Sequence, residues 1–187
     1  MFVRTRRLML RPGWIEDAPE LTRAMAHERV VKNISRAPWP YRLSDAEEFL
    51  RGWTDPMLTR FLIVAHEGGA TPIVGMIGVE ARDDGTHEMG YWLTPDAWGR
   101  GYATEAGHGV LAAVRTMGVR HVAAAHYLDN PASGKVLRKL GFRPTGEVRN
   151  VHSRGRGTES PCAYYTRDLN EARASGDDPD DDVRMAA

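Results

Sequence analysis

The chain has 187 residues, 42% of them hydrophobic and 27% charged, which allows one globular domain with a proper core and excludes a fibrous or low-complexity chain. Net charge is zero, but residues 171–187 hold six acids and two bases, net −4, so residues 1–170 are net +4. A body that mildly basic suits a small polyanion and is too weak, and too poor in interleaved aromatics, for nucleic acid. No run approaches the ~20 apolar residues of a membrane helix, and the first residues lack the apolar stretch of a signal peptide. The single cysteine, Cys162, excludes an internal disulfide and a cysteine-cluster metal site. These features lead us to expect a cytoplasmic protein without metal, nucleic acid or membrane partner.

In chain order, residues 8–12 close a short strand with Arg11 near its end, and residues 14–28 read as an amphipathic helix with Glu16 and Asp17 at its start. Pro38 and Pro40 around Trp39 force residues 35–41 into an extended loop. Ser44 and Glu47 have the spacing of a capping box, opening a second helix through Trp53. Residues 61–65, 73–80 and 87–93 then form three strands joined by tight glycine turns, an antiparallel meander. Ala103, Ala106, Val110, Leu111, Val114 and Met117 recur at helical spacing up to Gly118. Residues 119–127 are a strand parallel to 89–93, because a helix joins them. Asn130-Pro131 opens a fourth helix that Gly141 closes; residues 142–151 and 163–169 finish the sheet, with 153–160 as a long polar hairpin loop. The fold class is α/β with a mixed sheet. Residues 1–170 form the domain and the acidic tail, 171–187, is expected to be disordered.

The chemistry concentrates at Trp98-Gly99-Arg100-Gly101-Tyr102-Ala103-Thr104. Here a strand runs through a turn with two glycines into a helix start, where backbone amides lack intrahelical acceptors and the helix dipole is positive. Glycine lets the backbone approach a ligand closely, so a phosphate or pyrophosphate is expected there. A dinucleotide motif would need glycine where Thr104 stands and an acid near Arg120 and His121; a P-loop would need a lysine in the turn. Neither requirement is met.

The turn also resembles the cofactor loop of the GCN5-related N-acetyltransferases (GNAT), in the form written by the ribosomal-protein N-terminal acetyltransferase-like branch (RimJ/RimL-like). A second block, from Asn130 through Ser133 to Lys139-Leu140-Gly141-Phe142, resembles that branch too, as do Arg7 to Pro12 and Glu88-Met89-Gly90-Tyr91-Trp92-Leu93. The resemblance spans about residues 5 to 170. It implies a GNAT fold: a central, mostly antiparallel sheet of about seven strands flanked by four helices, splayed where acetyl-CoA enters. It implies acetyl transfer from acetyl-CoA to a primary amine, a small molecule or a peptide N-terminus. A non-catalytic acyl-CoA-binding module of the same fold is the alternative, and a homodimer is compatible with the sequence without being demanded by it.

The amides of residues 100–104 are expected to hold the pyrophosphate, with Trp98, Gly99, Arg100, Gly101, Tyr102, Ala103 and Thr104 around it. Tyr91, Trp92 and Leu93 offer a strand edge to the pantetheine, with a bulge at Gly90 and the Leu93 amide facing the thioester oxygen. Asn130 and Ser133 approach the cofactor sulfur, and Ser133 is the candidate proton donor to the thiolate; a plain helix cap is the structural reading of the same pair. Glu88 and His152 compete as general base, His152 standing where the branch holds a glutamate. Glu105 complements the helix dipole; Arg154 and Arg156 sit in a mobile loop and could grip an acidic substrate, a solvated basic loop being the plainer reading.

Overall fold

The computed structural model describes residues 1–53, 59–66, 69, 71–82, 84–170 and 184–186. Alternating and β-branched runs form nine strands: β1 (Phe2–Arg4), β2 (Leu8–Arg11), β3 (Arg60–Ala65), β4 (Ile73–Ala81), β5 (His87–Leu93), β6 (His121–Tyr127), β7 (Arg143–Ser153), β8 (Thr158–Asp168) and β9 (Arg184–Ala186). They make one sheet in the order β7-β8-β6-β5-β4-β3-β2-β1-β9. Every neighbouring pair is antiparallel except β5 and β6, which the intervening helix α4 (Tyr102–Thr116) obliges to run in parallel. The mixed, mostly antiparallel sheet is as the sequence implied, with β1 and β9 added at one edge. Apart from β9, residues 171–187 lie outside the described residues, so the expectation for the tail is not addressed.

Side chains alternate across the sheet, and each face has its own core. On one face Ile77, Val79, Met89, Leu93, Val122 and Ala124 pack beneath α4 and α5 (Pro131–Lys139). On the other, Leu62, Val64, Ile73 and Trp92 pack beneath α1 (Ala18–Met25), α2 (Glu28–Val31) and α3 (Leu43–Arg51). The row Leu62, Met76, Trp92 follows directly from the register of β3, β4 and β5.

The helix expected over residues 14–28 is a 3₁₀ turn (Ile15–Asp17) that runs directly into α1 and ends at Met25; an extended His27 at φ −132°, ψ 110° separates α1 from α2. Asp17 takes a bidentate pair from Arg11 at 2.8 and 2.7 Å and the Trp14 amide at 2.8 Å, which pins the first turn to β2. The cap of α3 also differs from expectation. The Asp45 carboxylate accepts from the Arg42 amide at 2.7 Å, so the helix begins one residue before Ser44. A carboxylate is the stronger acceptor at a helix start, where it also meets the dipole. The expected polar loop at 153–160 is a turn of four residues, 154–157, because β7 and β8 extend to Ser153 and Thr158. No helix among the described residues is long and apolar enough to cross a membrane.

Candidate active site

The β5–β6 pair is the break in the sheet. Only Glu88↔Ala123 and Met89↔Ala124 are in register; beyond Met89 the two strands part. The β4–β5 register, by contrast, runs unbroken from Ala81↔His87 to Gly75↔Leu93. The bulge expected at Gly90 is therefore absent, and the gap opens while β5 stays in register with β4 and β6 with β8. The Thr94 amide bonds the Val74 carbonyl at 2.8 Å, so by alternation the backbone groups of Trp92 turn to β4 while those of Tyr91 and Leu93 turn into the gap. A Cβ built at Gly90 meets nothing within 4 Å. An open strand edge thus lines the gap.

At the end of β5 the glycine turn closes onto α4. Gly99 at φ 75° and Gly101 at φ 80° occupy the left-handed region, which only glycine enters freely. Thr104 and Glu105 amides bond the Gly101 carbonyl at 3.1 and 3.0 Å, so the Thr104 amide is committed inside the helix. The Gly99, Gly101 and Ala103 amides make no backbone bond among the described residues and remain for an anion. The indole Nε1 of Trp98 donates to the Leu93 carbonyl at 2.9 Å, stapling the turn to β5, and the Arg29 guanidinium lies 5.0 Å above its ring. Arg100 stacks on Tyr102 instead, 4.7 Å from the ring centroid, and its side chain faces a separate depression with Glu20 and Asp96.

Glu105 does more than meet the dipole. It accepts from the Thr5 hydroxyl at 2.6 Å, the Arg7 amide at 2.8 Å and Arg7 Nε at 2.7 Å. Burial pushes its pKa up, but those three bonds and the nearby Arg7 charge outweigh it and hold the carboxyl below its ordinary value. The β1–β2 turn is thereby tied to the first turn of α4.

On the α4 and α5 face of the gap stands Ser133. Asn130 caps α5, its side-chain oxygen accepting from the Ser133 amide at 3.4 Å. The Ser133 hydroxyl lies 2.9 Å from the Tyr91 hydroxyl, so a tyrosine from β5 bridges to the helix start. Burial pushes the Tyr91 phenol up to about 12, which keeps it protonated at neutral pH. Nothing in the sequence spacing pointed to that hydroxyl, since residues 91 and 133 lie on different elements.

Glu88 emerges on the opposite face, that of Trp92, opposite Glu80 in the β4–β5 register. Its carboxylate takes Arg82 Nε at 2.8 Å and a second bond from the same guanidinium. Glu80 is held by Arg60 at 2.7 and 3.1 Å. Tyr164 joins this face from β8, its phenol pushed up chiefly by burial, with Cys162 and Glu88 among the charges nearby. A cleft of about 1240 Å³ runs through the gap and takes in both faces. Tyr91, Trp92, Leu93, Trp98, Gly99, Gly101, Tyr102, Ala103, Thr104, Asn130, Ser133 and Glu88 line it. His152 and the Arg100 side chain do not. His152 is exposed on β7, and the strand's alternation sends it away from its cleft-lining neighbour Val151. The arrangement brings a carboxylate and a hydroxyl pair to opposite mouths of one slot.

A sheet parted at its parallel pair, with an amide-rich glycine turn at the mouth, is an arrangement able to seat an extended anionic ligand between two strands. The model of the acetyltransferase (GNAT) domain matches residues 7–143. The uncharacterized N-acetyltransferase p20 of Bacillus licheniformis is 28% identical over 153 residues, covering 78% of this chain and 84% of that protein. Among solved structures, a GNAT-family acetyltransferase from Bacillus anthracis superposes with a TM-score of 0.77 at 22% identity, covering 91% of this chain and all of that one. The microcin C7 self-immunity acetyltransferase MccE, in complex with acetyl-CoA and AMP, gives 0.71 at 19% identity, covering 87% of this chain and 93% of that one. The chain belongs to the GNAT acetyltransferase family, whose members use acetyl-CoA.

Proposed function

We propose that this protein transfers the acetyl group of acetyl-CoA directly to the primary amine of a small molecule or a peptide N-terminus, and that residues 1–170 form the catalytic unit of a cytoplasmic enzyme. The observation that carries the reading is the β5–β6 gap with Ser133 and Tyr91 on one side and Glu88 on the other. Here the Gly99, Gly101 and Ala103 amides hold the pyrophosphate, and the Tyr91 backbone groups bond the pantetheine as an added strand would, the Leu93 carbonyl being held by Trp98. Glu88 takes a proton from the acceptor ammonium, directly or through one water, once Arg82 yields one bond. The freed amine attacks the thioester carbonyl, and the Leu93 amide stabilises the oxygen as charge develops there. The C–S bond then breaks, and the thiolate takes its proton from Ser133, which recovers one from Tyr91 and solvent. His152 has no part in this scheme, given its placement.

The RimJ/RimL-like reading rests on the Trp98–Ala103 and Asn130–Phe142 motifs. A Vibrio cholerae structure assigned as a ribosomal-protein-serine acetyltransferase shares the fold, with a TM-score of 0.68 at 17% identity. The experiment is a thiol-release assay with acetyl-CoA against an amine panel that includes N-terminal peptides. Amine-dependent release, with N-acetylated product by mass spectrometry, is the expected result. CoA binding without turnover on any amine would instead leave a binding module.

A further inference from the structure

The turn between β7 and β8 is docked on the segment after α2 and roofs the Glu88 side of the cleft. The Arg154 amide donates to the Ser35 carbonyl at 2.9 Å, and the Ser153 hydroxyl to the Ile34 carbonyl at 3.1 Å. Gly155 lies so close to α2 that a Cβ would stand 2.5 Å from Val31 Cγ1. The two arginines of this turn have opposite fates. Arg156 is consumed by the roof: it grips Asp129 at 2.8 and 2.9 Å, donates to the Lys32 carbonyl at 2.5 Å and lies 4.3 Å over the Tyr127 ring. Among the described residues Arg154 makes a single side-chain bond, 3.4 Å to the Arg36 carbonyl, and has no carboxylate partner; it lines the cleft. Its neighbour Arg36 reaches Glu80 only at 3.5 Å, with 60% of its side chain exposed.

The cleft carboxylates on this sheet face, Glu80 and Glu88, are already held by Arg60 and Arg82. Asp129 is taken by Arg156, and Asp45 and Glu48 line the cleft from α3; at the roof itself, on the Glu88 side, the charge left over is that of Arg154 and Arg36. A plain cationic amine would meet repulsion there. An amine with a nearby anion meets complementary charge at both ends, and a guanidinium fork suits a carboxylate or phosphate.

We propose that the acceptor carries an anionic group close to its amine, and that Arg154, with Arg36 beside it, holds that group. This rests on the transferase reading for its placement of the amine at Glu88. Calorimetric titration of CoA-saturated protein with three tripeptide amides of one length, beginning Asn, Asp and phosphoserine, tests it without requiring turnover. The two anionic peptides should bind roughly tenfold tighter than the Asn peptide, and the Asp and phosphoserine arms tell carboxylate from phosphate. Arg154→Ala should erase that preference while the melting temperature and CoA affinity hold, and Arg154→Lys should restore part of it. Equal affinity for all three peptides, or failure of all three to bind, overturns the proposal. Selective binding without thiol release from acetyl-CoA would sustain it and count against the transferase reading alone.

Discussion

Replacing Glu105 with glutamine keeps its shape and removes its charge, which makes it a sharp probe of how the anion turn is held. The wild-type carboxylate is 9% exposed and receives three donors at 2.6 to 2.8 Å, from Thr5 and twice from Arg7. Hydrogen bonds to a charged group are each worth about 1.5–3 kcal/mol, and removing one partner leaves the others unsatisfied. Arg7 is partly exposed, the three bonds share one site, and the amide oxygen still accepts, so the sum is well below additive. The expected loss for Glu105→Gln is about 2–3 kcal/mol, or roughly 6–10 °C in Tm for a chain of this length. Urea unfolding at pH 7 measures it. Because the folded carboxyl titrates below its ordinary value of 4.5, its contribution is complete above that value and disappears as pH falls through the lower folded value. The gap between wild type and variant should therefore hold above pH 4.5 and narrow steadily as pH falls below it. A difference under about 0.5 kcal/mol at pH 7, or one that persists unchanged in acid, would refute the assignment of Glu105 as the anchor.

Further outcomes follow from the same geometry. Ser133→Ala should lower kcat about tenfold to a hundredfold and Tyr91→Phe about threefold to tenfold, with the double variant close to Ser133→Ala alone, since the two hydroxyls act in series; multiplying effects would contradict the link. Gly90→Val places a side chain in open space on the acceptor face, so steady-state kinetics should show a raised acceptor KM with acetyl-CoA affinity within about twofold. Cys162 is 4% exposed, and burial pushes its thiol up to about 11, so iodoacetamide at pH 7.5 should leave it unmodified by intact-mass analysis.

Local signals were legible and distant ones were not. Gly99 and Gly101 announced the turn because a positive φ is a property of the residue itself, and Asn130 announced a cap because its partner, Ser133, is three residues on. The parallel β5–β6 pair followed from the helix between the strands. The gap in that pair came only with the family resemblance, which implied a splayed sheet, because no local spacing encodes where two strands part. His27 breaks the first helix without any nearby proline or glycine, so periodicity ran through it. The roof joins Ser153 to Ile34 across 119 positions, and its two arginines looked alike until Asp129 was seen to take one of them. His152 looked like a base by position in the chain, whereas strand alternation sets it on the other side of β7 from cleft-lining Val151. The Tyr91 hydroxyl was hidden because the strand edge had drawn notice to its backbone.

The central claim is that chemistry occurs in the β5–β6 gap with Glu88 as the proton acceptor. Its most direct test is the acetyl-transfer rate of Glu88→Gln, with acetyl-CoA and amine both saturating and CoA affinity measured separately. A kcat lower by about a hundredfold or more, with CoA affinity within twofold, is expected. An undiminished kcat would place the base elsewhere and contradict it.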